Sequence, residues 1–401
     1  MNPAAASTFG AVSPDAARKA LANVTFAPAG DDVSRARQAE AEAIRARLAP
    51  WPDAAEAPAW RVHAGMPVRA GKGDLIWPPS VPEGADARAQ VAAWCEAGAA
   101  VLLSRPAEGG EVADELHLDG VVYRLAGAGD PAFLPAMAAF LDCGFAAQDA
   151  LALGRAWRSD GSHAEPGNGL GDWPVKLQTF PRVTGLKPGP GRFPGCAPAL
   201  GLYPVLPDAG WCERMADYGV RTAQLRIKDG ATPGLVAQIA RTVEAGLRAG
   251  GQYFINDHWR QAAQARAYGV HLGQEDMEAL SADDVAALHA SGMRLGISTH
   301  GYYEILAAHH FMPSYLAVGA VFPTTTKVIA TAPQGLAKLA RFVRLIQPHY
   351  PLVAIGGIDA GNLADVLATG VGSAAVVRAV TEAADPERAV NGLQATFANR
   401  D

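Results

Sequence analysis

The sequence predicts an α/β protein, a C-terminal (β/α)8 TIM barrel preceded by a smaller α/β domain. Three observations carry that prediction. Eight short apolar runs alternate with helical, amphipathic stretches through residues 200–401. A Pro/Gly-rich segment at 181–199 separates them from an N-terminal α/β region spanning 1–180. Most of the runs beyond it end in polar, charged or glycine residues, as strands do at the mouth of a parallel barrel.

Composition narrows the function classes. The chain has 401 residues, 49% hydrophobic and 18% charged, enough to bury a large core in two or three domains. Its net charge of −6 carries no basic footprint, so nucleic acid is not an expected partner and any anion must be captured by local cations. The first residues, Met1-Asn-Pro-Ala-Ala-Ala-Ser7, show no basic region followed by an apolar run, and no apolar stretch is long enough for a bilayer. A cytoplasmic protein without a membrane partner is the expectation. Cys95, Cys143, Cys196 and Cys212 form no C-x-x-C pair and have no histidine at metal-finger spacing, which suits reduced, structural thiols.

In chain order, residues 31–48 mix Ala, Arg and Glu and predict an exposed helix that stops before Pro50. Residues 86–97 predict a second helix leading into a buried strand at 99–103, and 121–125 reads as another strand. There follow Gly127-Ala-Gly-Asp130 and a short helical stretch at 135–140. Small residues at a strand-to-helix turn can expose N–H groups to an anion, and a neighbouring aspartate can act as a base. Residues 127–157 resemble the C-terminal part of ribokinase-like kinases, including hydroxymethylpyrimidine phosphate kinases. The resemblance implies an anion hole at Gly127 and Gly129, and Asp130 as the base that deprotonates a hydroxyl. Against it, Pro131 replaces the usual small residue, and the preceding segment is too short for a nucleotide site and lid. The reading is a degenerate, structural or docking domain.

The alternating Pro and Gly of 186–199 remove backbone donors and helix propensity together and predict extended chain. Beyond it, strands are predicted at 202–206, 222–226, 253–255, 270–272, 294–297, 316–321, 352–355 and 374–377, with helices such as 233–248 and 282–291 between them.

The chemistry should lie where these strands end. The second runs into Gln224-Leu-Arg226-Ile-Lys228, whose period of two places Gln224, Arg226 and Lys228 on one face. Two cations at a barrel mouth need an anion to offset their desolvation. The third strand ends in Asn256-Asp257 and the fourth in Gly273-Gln-Glu-Asp276, carboxylates that could share a Mg2+ whose other positions fall to water and phosphate oxygens. The fifth ends in Ser298-Thr-His300, and His300 alone reads as a packing or hydrogen-bonding residue. The adjacent His309 and His310 point in different directions on a helix and make a poor metal pair. The sixth opens at Pro323 into Thr324-Thr-Thr326-Lys327, the seventh into Gly356-Gly357, and the eighth into Val377-Arg378. Loops after the last two strands commonly form a phosphate cup.

These motifs, Gln-Leu-Arg-Ile-Lys, Ile-Asn-Asp, Gly-Val-His-Leu-Gly-Gln-Glu-Asp, Leu-Gly-Ile-Ser-Thr-His, Phe-Pro-Thr-Thr-Thr-Lys and Ala-Ile-Gly-Gly-Ile, stand in the order and spacing of thiamine phosphate synthases, which residues 200–390 resemble. The resemblance implies a transferase that joins 4-amino-5-hydroxymethyl-2-methylpyrimidine diphosphate to 4-methyl-5-(2-hydroxyethyl)thiazole phosphate with release of pyrophosphate. It implies Mg2+ on Asp257 and Asp276, with Arg226, Lys228, Asn256 and Lys327 on the diphosphate. Gln224 and Ser298 would position the pyrimidine. Thr324 and Thr326 would hold the thiazole phosphate, with Gly357, Val377 and Arg378 completing its cup. A dissociative substitution is implied, with Arg226, Lys228, Lys327 and Ser298 as the catalytic set. Arg378 stands where the family usually has serine, and Ile227 where a charge is common. A thiazole tautomerase, a bifunctional synthase and pyrimidine phosphate kinase, and a non-catalytic precursor sensor are the rival readings, and homo-oligomerisation stays open.

Overall fold

The computed structural model describes residues 21–49, 51, 58–324 and 332–399. The chain divides into two compact units, Met1–Tyr123 with Gly127–Trp173, and Arg124–Ala126 with Pro174–Asp401. In the first, β1 (Val24–Ala27), β2 (Trp60–His63), β3 (Asp74–Ile76) and β4 (Ala100–Pro106) pair in parallel in that order. Strand β5 (Glu111–Leu118) returns antiparallel to β4, and β6 (Val121–Ala128) follows through Asp119-Gly120. Both turn residues have positive φ, 48° and 78°, which an Asp-Gly pair supplies at little cost.

The predicted helices are present as Asp32–Arg47, capped by Asp31 Oδ1 accepting from Ser34 N at 2.8 Å, and Ala85–Glu96. Strands β1, β2, β3 and β5 were not predicted. The first three have only three or four residues, too few to show a period, and in β5 the adjacent Val112-Ala113 and Asp114-Glu115 break the alternation that would mark a strand. Helix Phe133–Asp142 is buried at every position, as its run of apolar residues from Phe133 to Leu141 requires, and its terminal carboxylate, Asp142, accepts from Asn23 N at 2.8 Å.

One buried ion pair crosses this core. Arg155 donates to both oxygens of Asp114, Nε at 2.6 Å and Nη2 at 2.8 Å, and lies 3.5 Å from the Phe133 ring centroid. Ser104 Oγ donates to Asp114 at 2.6 Å and accepts from Trp77 Nε1 at 2.9 Å.

Asp130 is not arranged as a base. Its Oδ1 accepts from Ala132 N (2.9 Å) and Ser159 Oγ (2.6 Å), and its Oδ2 from Ser159 N (2.9 Å). Burial pushes the carboxyl up, but these donors outweigh it and hold it below the ordinary carboxylate range. A carboxylate so bracketed closes a turn, with three donors of its own chain holding it in place.

In the second unit, β7 (Arg182–Val183) pairs antiparallel with Ala126 and Leu125. The Pro/Gly-rich chain after it runs without helix or strand along the barrel. Phe193 is buried and donates its N–H to Met312 O at 3.0 Å, and Arg294 Nε donates to Gly195 O at 3.0 Å.

The barrel itself is closed and parallel, in the order β8 (Gly201–Leu206), β9 (Thr222–Leu225), β10 (Gln252–Asn256), β11 (Gly269–Leu272), β12 (Arg294–Thr299), β13 (Tyr315–Val318), β14 (Leu352–Ile355) and β15 (Ser373–Val376). Strand β15 closes on β8, with Ser373 opposite Gly201 and Val376 opposite Pro204. All eight predicted strands are present. The sixth is shorter than predicted: it ends at Val318, although Val321 N and Phe322 N still donate to Ile355 O and Gly356 O at 2.9 and 3.0 Å. Tyr203, Val205, Phe254, Tyr315, Ala317, Val353 and Ala375 fill the interior. Gly269 and Gly296 leave room for it, since a Cβ at Gly269 would stand 2.6 Å from the Phe254 ring and one at Gly296 would meet the Tyr315 ring.

Candidate active site

A cavity of about 1220 Å³ opens at the C-terminal ends of the barrel strands. It is lined by Gln224, Arg226, Lys228, Asn256, Asp257, Asp276, Ser298, Thr324, Gly357, Val377 and Arg378, so the structure brings together every predicted site residue it describes. Thr326 and Lys327 lie outside the described residues.

The cations sit on a braced loop. Arg226 N donates to Leu206 O at 2.8 Å, and His258 Nε2 donates to Ile227 O at 2.7 Å. The Ile227 side chain is buried and absent from the cavity lining, while Arg226 and Lys228 on either side reach it. Alternation had pointed Ile227 away, and the structure agrees.

Asn256 ends β10 buried, and Asp257 follows with φ of 63°, a left-handed conformation that aspartate tolerates better than most residues. Asp276, in the first turn of helix Gln274–Ala279, uses Oδ2 to accept from Gly273 N at 2.9 Å. Burial, then the charge and hydrogen bond of Asp276, push the Asp257 carboxyl up to about 6, while Arg226 pulls the other way. Two carboxylates held together in a half-buried rim call for a cation. Among the described residues no group of three or more His, Cys, Asp or Glu is placed to hold a metal, so an ion here would take two protein carboxylates and complete its shell from substrate and water. That all-oxygen, low-count donor set fits Mg2+.

On the opposite side, Gly356 and Gly357 have φ of 102° and 65°. A Cβ on Gly357 would stand 2.7 Å from both Phe322 Cβ and Pro323 O, so the turn and the Pro323-Thr324 chain close on each other only because that Cβ is missing. Gly357→Ala should therefore displace this cup: KM for a phosphorylated ligand bound there should rise about tenfold or more, with affinity at the Arg226 side unchanged. Equal ligand affinities in the variant and the parent, by isothermal titration, would remove the cup from the site. Arg378, at the start of helix Arg378–Thr381, lines the same end of the cavity and is exposed.

Along the cavity wall runs a hydrogen-bonded chain that the sequence reading missed. Gln224 Nε2 donates to Tyr203 Oη (3.1 Å), which bonds Tyr315 Oη (2.8 Å), which bonds His271 Nδ1 (2.7 Å), while His271 Nε2 bonds Ser298 Oγ (2.7 Å). Burial pushes both phenols far above the ordinary tyrosine range, so both keep their protons. The available signal was a histidine inside the apolar run Val270-His-Leu272. His300 instead bonds Glu304 Oε2 through Nδ1 at 2.8 Å, and His309 and His310 bond different partners, Tyr350 Oη and Lys187 O.

Residues 205–380 match the family model of thiamine monophosphate synthase. A thiamine-phosphate synthase of Neisseria meningitidis serogroup A is 54% identical over 198 residues, which cover 49% of this chain and 95% of that protein. One of Escherichia coli O1:K1 is 51% identical over 194 residues, covering 48% of this chain and 90% of that protein. A solved thiamine phosphate pyrophosphorylase from Pyrococcus furiosus is 30% identical with a TM-score of 0.44, over 50% of this chain and 96% of that one.

Proposed function

Because the chain belongs, through its C-terminal half, to the thiamine-phosphate synthase family, we propose that its barrel couples 4-amino-5-hydroxymethyl-2-methylpyrimidine diphosphate with 4-methyl-5-(2-hydroxyethyl)thiazole phosphate, giving thiamine phosphate and pyrophosphate. The observation that carries this reading is the meeting, in one cavity, of two cations, a carboxylate pair and a glycine cup. Arg226, Lys228 and Asn256 bind the diphosphate, with Lys327 assigned to it by likeness. Thr324, Thr326, the Gly357 backbone, Val377 and Arg378 hold the thiazole phosphate. Gln224 and Ser298 orient the pyrimidine ring.

The bond from the pyrimidine methylene to the diphosphate oxygen breaks, and its electron pair leaves with pyrophosphate. The thiazole nitrogen lone pair then closes the new C–N bond. No proton must move, so the site asks for stabilisation of the departing charge more than for a base. Arg226 and Lys228 supply it from positions braced before the reaction. Mg2+ on Asp257 and Asp276 would add Lewis-acid neutralisation of the diphosphate. The N-terminal unit is read as a degenerate accessory domain, since Asp130 is bracketed by its own turn.

The test is a coupling assay on the full chain with both substrates and Mg2+, with and without EDTA. Metal-dependent thiamine phosphate is expected, and no product from verified folded protein ends the reading. Metal binding should also be proton-linked. With Asp257 raised to about 6, Mg2+ must displace a proton below that pH, so its stabilisation of the melting temperature should be large at pH 8 and small at pH 5. Without metal the sign reverses. The stability tied to Asp257 is full below its ordinary value of 3.8 and is lost as pH rises through about 6. Differential scanning fluorimetry at both pH values checks both statements, and a Mg2+ shift independent of pH removes Asp257 from the metal.

A further inference from the structure

We infer that the buried chain from Gln224 to Ser298 is a one-way hydrogen-bond relay, in which Tyr203, Tyr315 and His271 act as positioning residues that make Ser298 a donor and Gln224 an acceptor toward the bound ring. The polarity follows from counting protons. An amide nitrogen can only donate, so Tyr203 Oη accepts from Gln224 and must place its own proton elsewhere. Its other partner is Tyr315 Oη at 2.8 Å, and leaving a hydroxyl proton unused at a fully buried site is unfavourable. Tyr315, having accepted that proton, donates its own to His271 Nδ1. The imidazole must then carry its proton on Nε2 and donate to Ser298 Oγ. The Ser298 hydroxyl proton is left for the cavity, and so is the carbonyl oxygen of Gln224, whose nitrogen is engaged below.

A ring that meets these two groups needs an acceptor nitrogen for Ser298 and a donor for Gln224. An aminopyrimidine edge has both. A 4-oxo analogue replaces the donor with an acceptor and sets two oxygens against each other, an arrangement that hydrogen-bonding sites reject strongly. The inference rests on the coupling reaction proposed above for its substrate. Its first readout does not.

The tautomer of His271 is read by two-bond ¹H–¹⁵N correlation on the [¹⁵N]His-labelled full chain, with the signal assigned through a His271→Asn variant. An Nε2–H tautomer that becomes mixed in Tyr315→Phe is expected. An Nδ1–H tautomer would mean that the Gln224 amide is turned round and the relay runs the other way, which overturns the inference. The second readout is kinetic. Tyr315→Phe, which keeps the ring, should raise KM for the pyrimidine diphosphate about tenfold and lower the preference for amino over oxo substrate by a similar factor. KM for the thiazole phosphate should not change. Tyr203→Phe, one step further along, should act in the same direction, and it serves if Tyr315→Phe does not fold. A purely structural role predicts a lower melting temperature with the amino-to-oxo preference unchanged, and that result also overturns the inference. If the unaltered chain makes no thiamine phosphate, the proposed reaction fails while the tautomer still decides the relay.

Discussion

Arg226→Ala should lower turnover by about 10²- to 10³-fold and leave the fold intact. The second half of that statement comes from the backbone. The loop is held by Arg226 N on Leu206 O, by the buried Ile227 side chain and by His258 on Ile227 O, and none of these uses the guanidinium. The first half comes from where charge develops. When pyrophosphate departs it gains negative charge beside a cation that needs no rearrangement to receive it, and water in its place would have to reorient. Arg226→Lys should recover only part of the loss, since a point charge cannot grip two phosphate oxygens as a planar fork does. There is a secondary consequence. Arg226 draws the Asp257 carboxyl down, so its removal should raise that group further and move the pH at which Mg2+ binds upward. Steady-state kinetics with melting curves on the same samples check the main claim, and a turnover within threefold of the parent would take Arg226 out of the chemistry.

Much of this site was legible because a parallel barrel converts local sequence into position. Each apolar run of about five residues ends at one mouth, so Arg226, Asn256, Asp257, Asp276, Ser298 and Gly357 could be gathered without knowing a single contact. What could not be read was everything set by neighbours across strands. Tyr203 and Tyr315 are 112 residues apart and meet only because the barrel closes, and no local period distinguishes a phenol that packs from one that takes part in a hydrogen-bonded chain. In the N-terminal unit the predicted helices and the strands β4 and β6 are present, and four strands escaped for another reason. Its parallel strands β1 to β3 are too short to show a period, and β5 reads as polar surface because its Asp114 is satisfied by Arg155, 41 residues away. The Gly127-Ala-Gly-Asp130 turn was visible, yet its meaning depended on Ser159, which occupies the carboxylate.

That same Asp114 carries the second large expectation. Asp114→Ala should destabilise the N-terminal unit by about 3–5 kcal/mol. Arg155 and Asp114 are both fully buried, and the guanidinium spends two N–H groups on the carboxylate. Removing the carboxylate leaves a cation in apolar surroundings against Phe133, with the weaker Ser104 contact at 3.4 Å as its remaining side-chain hydrogen bond among the described residues. Ser104 and through it Trp77 lose their anchor as well. Replacing both partners, Asp114→Leu with Arg155→Met, should recover most of that loss, because the penalty comes from the unpaired charge and not from the absence of the pair. The single variant also tests the accessory reading of this unit. Its melting transition should move down by several degrees or more, while the coupling rate of the barrel below that transition should stay within about twofold of the parent. Calorimetry and the coupling assay on the full chain give the two numbers. An unshifted transition would mean that Arg155 finds another anion, and a lost coupling rate with the barrel still folded would give the N-terminal unit a part in the reaction.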